Sequence, residues 1–325
     1  MPQDDPAVES TGATSAGLYR RIWQITRGTQ LVLIGLSVAV ALLAAAPLHF
    51  QKELVNGLTY GSSKGHVFSL GAQFAAVVLL NVVLKFLLQY RGALLGEDVV
   101  RRIRGRIVTG TLGERRSGVP PPPAPGTLVT MLTAEAEDVG QFVGQAFATP
   151  LVQIGTLVSV LLYIGASEPL LGLVAFAVVA PQVAVVTAVQ RRVNDLVRKR
   201  LVLLRTTADR TVGNAHVWAP DTILAGFDDV FEIRRRIYQL KLSSKAALNT
   251  LTGLGSVGIL VLGGWLVLDG RTDVGTVVAT LGGLNRMGRP WNELIKFYRT
   301  LSIVRVRFAL LAEAIGQDRN PRPQD

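Results

Sequence analysis

Apolar residues gather in long blocks rather than alternating with polar ones, and the blocks recur along most of the chain. Six segments stand out, residues 30–48, 67–90, 150–166, 169–189, 251–268 and 274–293, the last more polar than the others. Each approaches the roughly 20 residues that a helix needs to cross a bilayer. Residues 31–47 and 170–190 carry no charged side chain, which a helix buried in a water-soluble core rarely matches. The pattern predicts an all-α membrane protein with six transmembrane helices. Ahead of the first span, Leu18, Ile22 and Ile25 share one helical face while Arg20, Arg21, Gln24 and Arg27 occupy others, with Tyr19 and Trp23 as interfacial aromatics. Residues 17–28 are therefore expected to form an amphipathic elbow helix along the membrane surface.

Charge orients the spans. The chain holds 34 Lys and Arg against 23 Asp and Glu, a net charge of +11. Of the basic residues only Lys52, Lys64 and Arg271 fall in the short connectors 49–66 and 269–273, while the rest flank the opposite ends of the spans. The positive-inside rule then places both termini in the cytoplasm of a multi-pass inner (plasma) membrane protein, with anionic lipids as natural contacts. A nucleic-acid partner does not fit, because these charges border membrane spans and carry no interleaved aromatic platform. Cysteine is absent, which removes disulfides, thiolate metal sites and thiol nucleophiles. His49, His66 and His216 stand alone without a second ligand at metal spacing, so neither a metal nor a catalytic site is expected. Residues 1–16 read as a disordered cytoplasmic tail without secretory-signal features, and residues 317–325 as a polar C-terminal tail.

The long inner segments read as helices too. Residues 91–118, 191–211, 227–250 and 292–315 mix apolar and charged positions at helical spacing. A helix over 66–116 would reach about 75 Å, far past a hydrocarbon layer of roughly 30 Å. Pro120, Pro121, Pro122, Pro123, Pro125 and Gly126 mark one turning point, and Gly213 with Pro220 the other.

An elbow helix, six spans, two long cytoplasmic hairpins and a helical exit from the sixth span together resemble the transmembrane domain of ABC transporters with the type I exporter fold, over residues 17–316. The stretch Gly126-Thr-Leu-Val-Thr-Met-Leu-Thr-Ala-Glu-Ala-Glu-Asp-Val139 is similar to the family's Gly-x-Leu-x-Ser-Arg-Leu-x-x-Asp-x-x-x-Val, with Met131 at the usual Arg and Glu135 at the usual Asp. The resemblance makes this stretch the first coupling helix, which presses on the ATPase domain, with Thr130, Glu135, Glu137 and Asp138 as contact candidates. Residues 218–229 are the corresponding place for a second coupling helix, with Trp218, Asp221 and Phe227 as candidates, although the family's acidic and Ile-Lys-x-Phe pattern is missing. No Gly-x-x-x-x-Gly-Lys-Ser/Thr phosphate loop occurs in the chain. The resemblance thus implies that no cofactor binds this chain and that ATP and Mg²⁺ sit on a nucleotide-binding ATPase partner, either a separate subunit or a domain missing from residues 1–325.

Two polar stripes are the pathway candidates. Gln73, Asn81, Lys85 and Gln89 recur at multiples of four along span two, where lipid would penalise them. Asn285, Arg286 and Arg289 fall in span six beside Pro290, which should favour a kink, and Arg289 is spaced to pair with Glu293. Interhelical hydrogen bonding with a snorkelling Lys85 is the structural alternative. Gly253, Gly255 and Gly258 satisfy a dinucleotide pattern, but inside a hydrophobic span they read as close-packing positions. Arg101, Arg102, Arg104 and Arg106 read as a solvated face. The function expected is the permease subunit of an ATP-driven transporter, exporting a substrate as a homodimer or heterodimer. The alternative is a membrane scaffold or regulatory subunit of the same fold that translocates nothing. An ion-coupled carrier fits less well, for the spans hold no Asp or Glu short of Glu293 at the inner end of the sixth.

Overall fold

The structure, a computed structural model, describes residues 15–112, 125–213 and 220–314. The two expected tails, the proline-rich turn and Trp218 fall wholly or mainly outside the described residues. Among the described residues every regular element is helical: α1 (Ser15–Leu42), α2 (Ala46–Thr59), α3 (Lys64–Leu112), α4 (Pro125–Thr130), a π turn (Met131–Glu135), α5 (Ala136–Gln145), α6 (Ala148–Ser167), α7 (Pro169–Gly213), α8 (Pro220–Leu268), α9 (Val274–Arg286) and α10 (Gly288–Ala314). A spanning chain in hydrocarbon must satisfy its own backbone groups, and helices do so within one segment. Five stretches are long and apolar enough to cross a membrane by length and composition: Ile22–Thr59, Lys64–Thr109, Leu128–Ser167, Pro169–Val197 and Leu224–Leu268. The sixth expected span is divided. Helix α9 has 13 residues, about 20 Å, so it needs the start of α10 to match a bilayer of roughly 30 Å.

The long inner helices are present. Helices α3 and α8 each run 49 residues and α7 runs 45, lengths of about 70 Å that leave half of each helix beyond a bilayer. The first span differs from its expected bounds. The elbow and the span form one helix, α1, jointed at Thr26, whose φ and ψ of −127° and 15° leave the helical region. The Thr26 hydroxyl donates to the Ile22 carbonyl at 2.6 Å, the back-bonding that bends helices. The segment expected as a loop after residue 48 is mostly helix α2. Pro47 sits in its first turn, where a missing N–H costs little, and Lys52 and Asn56 of this helix have tertiary partners, as described below.

Packing divides the described residues into two compact units. One holds α1, α3, α4, the π turn, α5, most of α6 and α10; the other holds the end of α2, the end of α6, α7, α8 and α9. In the first unit α10 contributes Leu294, Phe297, Leu301, Val304, Phe308 and Leu311 at alternating spacings of three and four, a coiled-coil seam. All but Leu294 pack with Leu95, Val99, Ile107, Met131, Val139 and Phe142 in one apolar cluster. Leu18 and Ile22 of the elbow are buried in the same cluster, with Trp23 and Ile25 left exposed. Outward, α3 shows Leu79, Leu80, Val82, Val83 and Phe86, the apolar surface that lipid tails cover.

Helices α3 and α5 meet across two glycine pairs. A Cβ on Gly140 would lie 2.7 Å from the Gly96 carbonyl oxygen, one on Gly92 would lie 2.9 Å from that of Gly144, and one on Gly144 would collide with that of Gly92. Both helices carry the small-x-x-x-small spacing that allows backbones to touch. In the second unit α7 and α8 pair along their length, with a Gln182 amide donating to the Thr252 hydroxyl at 3.0 Å. There Gly255 faces Val178 and Leu284, whereas Gly253 has nothing within 4 Å of its Cβ position. The glycine triplet lies within α8, so the strand that a dinucleotide fingerprint requires before it is not there. Gly144→Ala is expected to destabilise the purified chain by about 1–3 kcal/mol through overpacking. Gly71→Ala, whose Cβ meets open space, should leave the thermal unfolding midpoint unchanged or slightly raised. Equal midpoints for both variants would contradict the seam.

Candidate functional site

The segment before α5 is built around a one-residue insertion. Met131 is buried, and the next fully buried position on that face is Ala136, followed by Val139, Gly140 and Val143. Five residues exceed one α-helical turn, so a regular helix would rotate one set of apolar residues out of the cluster. The π turn absorbs the surplus: the Ala136 N–H bonds to the Met131 carbonyl, an i to i+5 bond. Met131, which stands where the resemblance places an arginine, is therefore a core side chain.

Neighbouring arginines reach two carbonyls of this turn. Arg104 Nε of α3 donates to the Leu132 carbonyl at 2.8 Å. Arg307 of α10 reaches the Ala134 carbonyl at 3.5 Å and forms an ion pair with Asp138 in the first turn of α5. Arg101 and Arg102 instead pair with Asp98 on their own helix, at 3.7 and 2.6 Å. Arg101, Arg102, Arg104 and Arg106 are all exposed, and of these Arg104 also reaches the π turn.

The coupling candidates separate accordingly. Thr130 and Glu137 are exposed, the first donating to the Gly126 carbonyl at 3.0 Å and the second accepting from Gln141 at 3.0 Å. Asp138 is held by Arg307. Glu135 is half-buried, and one of its carboxylate oxygens is covered without a hydrogen-bond partner among the described residues. Asp221 falls in the first turn of α8, and Phe227 is exposed further along that helix.

The pathway candidates occupy three elements. On α3, Asn81 is half-buried and Lys85 and Gln89 are exposed. Asn285 and Arg286 end α9, and Arg289 lies in the first turn of α10; all three are exposed. The break between them falls at Met287, three residues ahead of Pro290. Proline has no N–H for the Arg286 carbonyl, so an unbroken helix could not complete its ladder there. Glu293 pairs with Lys296 at 2.8 Å, not with Arg289 as its spacing suggested.

A polar clamp closes the other end of the second unit. Asp273 caps α9, accepting from the Thr276 N–H at 2.6 Å, and also accepts from the Asn56 amide at 2.9 Å. Asn56 in turn accepts from the Gly275 N–H at 2.8 Å, and Lys52 lies 3.4 Å from the second Asp273 oxygen. Gly275 has no room for a side chain, for its Cβ position meets the Lys52 carbonyl and the Asn56 side chain. Burial works to raise the Asp273 pKa, but hydrogen bonds from Asn56 and Thr276 and the Lys52 charge outweigh it and hold the carboxyl below its ordinary range.

The family of ABC transporter transmembrane regions matches residues 30–205, more than half of the chain. The chain belongs to that family. No curated protein compared with it matches. The match takes in α3, the stretch from Gly126 to Val139 and most of α7. The all-α exporter fold follows from it, as does a permease-like membrane subunit. In this ABC transmembrane region the sequence alone did not separate Arg104 from its arginine run, nor single out Arg307, Asp273 or the four seam glycines. The five-residue gap between Met131 and Ala136 was the available signal for the π turn. Asp273 yields a pH prediction. A lowered pKa means that its contribution is complete above the ordinary carboxylate value of about 4 and fades as pH falls through the folded value. Asp273→Asn should therefore lower stability at pH 7 by about 1 kcal/mol, a gap that thermal unfolding should show narrowing as pH falls below about 4. A gap that stays constant as the carboxyl is protonated would contradict an ionised Asp273 clamp.

Proposed function

We propose that this chain is the permease subunit of an ABC exporter, working beside a second transmembrane subunit, a copy or a paralogue, and driven by a nucleotide-binding ATPase subunit or domain. Both termini face the cytoplasm in this reading, as the distribution of Lys and Arg favours. ATP and Mg²⁺ belong to the ATPase, since this chain offers no phosphate-binding loop. The observation that carries the reading is the family match over a segment whose Thr130 and Glu137 stay exposed while the same segment is anchored to α3 and α10. A surface that is open to a partner and fixed to long helices suits a lever.

Engagement of the ATPase would act on Thr130, Glu135, Glu137 and Asp138, with Trp218, Asp221 and Phe227 as the second contact. Asn81, Lys85, Gln89, Asn285, Arg286 and Arg289 would line the pathway, and their basic balance favours an anionic or amphiphilic substrate. Export is the direction that the fold supports. A ligand-dependent shift between inward-open and closed states requires that ATP binding favour one of them.

Single cysteines test this, because the chain has none of its own. Asn81→Cys and Asn285→Cys in inside-out vesicles carrying the complex should react with a membrane-impermeant maleimide without nucleotide and become protected by ATP. Protection in every state would favour a scaffold. With Glu135→Lys and Glu137→Lys together, membrane insertion should persist while the ATP response of the probe falls about tenfold. An unaltered response would remove the coupling role from this segment.

A further inference from the structure

Arg104 and Arg307 belong to neither the coupling surface nor the pathway stripes, yet both end on the π turn that carries the coupling segment. A π turn has wider, poorer hydrogen bonding than the helix around it and marks a place where a helix can yield. Met131–Glu135 separates α4, with exposed Thr130, from α5, which is fixed to α3 by the glycine seam. Left to itself, such a joint would let α4 bend or rotate without moving α5. The two arginines close that escape from opposite neighbours. Arg104 holds the Leu132 carbonyl from α3, and Arg307 spans the joint from α10, with the Ala134 carbonyl on the π side and the Asp138 carboxylate on the α side. Both Arg307 contacts come from one nitrogen, Nη1, whose N–H directions are fixed by the planar guanidinium, whereas an ammonium would act as a point charge.

We infer that Arg104 and Arg307 are positioning residues of the transport cycle, which lock the π turn so that force on the coupling segment passes to α3 and α10 instead of being absorbed at the joint. This rests on the coupling role proposed above. Because α10 continues directly from the polar break at Met287, the lock would connect the coupling surface with the helix bearing Arg289.

The test uses the full chain in lipid nanodiscs with its co-purified ATPase, comparing wild type with Arg104→Gln, Arg307→Gln, the double variant and Arg307→Lys. Amide hydrogen exchange over residues 131–138 should quicken about tenfold in the double variant, with the seam residues 140–144 staying protected. ATP-dependent protection of Asn285→Cys should drop about tenfold in that background although the ATPase remains bound, and Arg307→Lys, which keeps the ion pair, should fall between. Unchanged exchange in the double variant would overturn the lock. Quickened exchange with full ATP-dependent protection would overturn its role in transmission. Wild type that binds no ATPase would overturn the coupling reading itself, and the exchange difference would then register a purely structural lock. Loss of protection at 140–144 as well would mean that α5 has come loose, which also contradicts a local lock.

Discussion

The backbone contact between α3 and α5 governs the first unit. Gly92 and Gly96 face Gly140 and Gly144 so closely that no Cβ fits without displacement. That approach sets where every buried residue of α5 must point. With the seam fixed, Ala136, Val139 and Val143 face the apolar cluster, and Met131 can join them only if one extra residue is accommodated. The π turn, the two arginines that serve its carbonyls and the exposure of Thr130 and Glu137 follow from that arrangement.

The second unit relies on a different interaction. Helices α7 and α8 pair over much of their length, and α9 joins α8 where Gly263 admits Val277. Its end is closed by polar groups: Asp273, Asn56, Lys52 and the Gly275 amide form a compact network in which one carboxylate serves as helix cap, hydrogen-bond acceptor and ion-pair partner. Residues Lys52 and Arg271 were grouped by charge in the same set of short connectors, and the clamp joins those two connectors directly. A cap that binds a neighbouring helix restrains α9 at one end, while the missing Pro290 N–H releases it at the other.

Much of the fold was legible in the sequence because its strongest signals are long. Uncharged runs of lipid-length helices, the bias of Lys and Arg to one set of connectors and the helical spacing in the inner segments each extend over many residues. Features that turn on one residue were harder to read. Residues 49–66 were read as a short connector, but tertiary partners for Lys52 and Asn56 support a helix there. The glycine seam follows a small-residue spacing that is usually sought within spans, and here it lies among charged residues. Arg104 was indistinguishable from Arg101 and Arg102 by composition; only the crossing of α3 with the π turn separates them. Of the candidate site, the stretch from Gly126 to Val139 was found by its likeness to a family pattern. The division between exposed Glu137 and paired Asp138 depends on α10, which lies far away in sequence.

The coupling role proposed for the segment from Gly126 to Val139 requires that an ATPase engage it. The most direct measurement is to purify the tagged chain in mild detergent from its native host and assay the material for a bound subunit or domain that hydrolyses ATP. A stoichiometric, ATP-hydrolysing partner is the predicted result. A pure oligomer of this chain with no ATPase activity, recovered under conditions that preserve other membrane complexes, would contradict an ATP-driven permease and point to a scaffold.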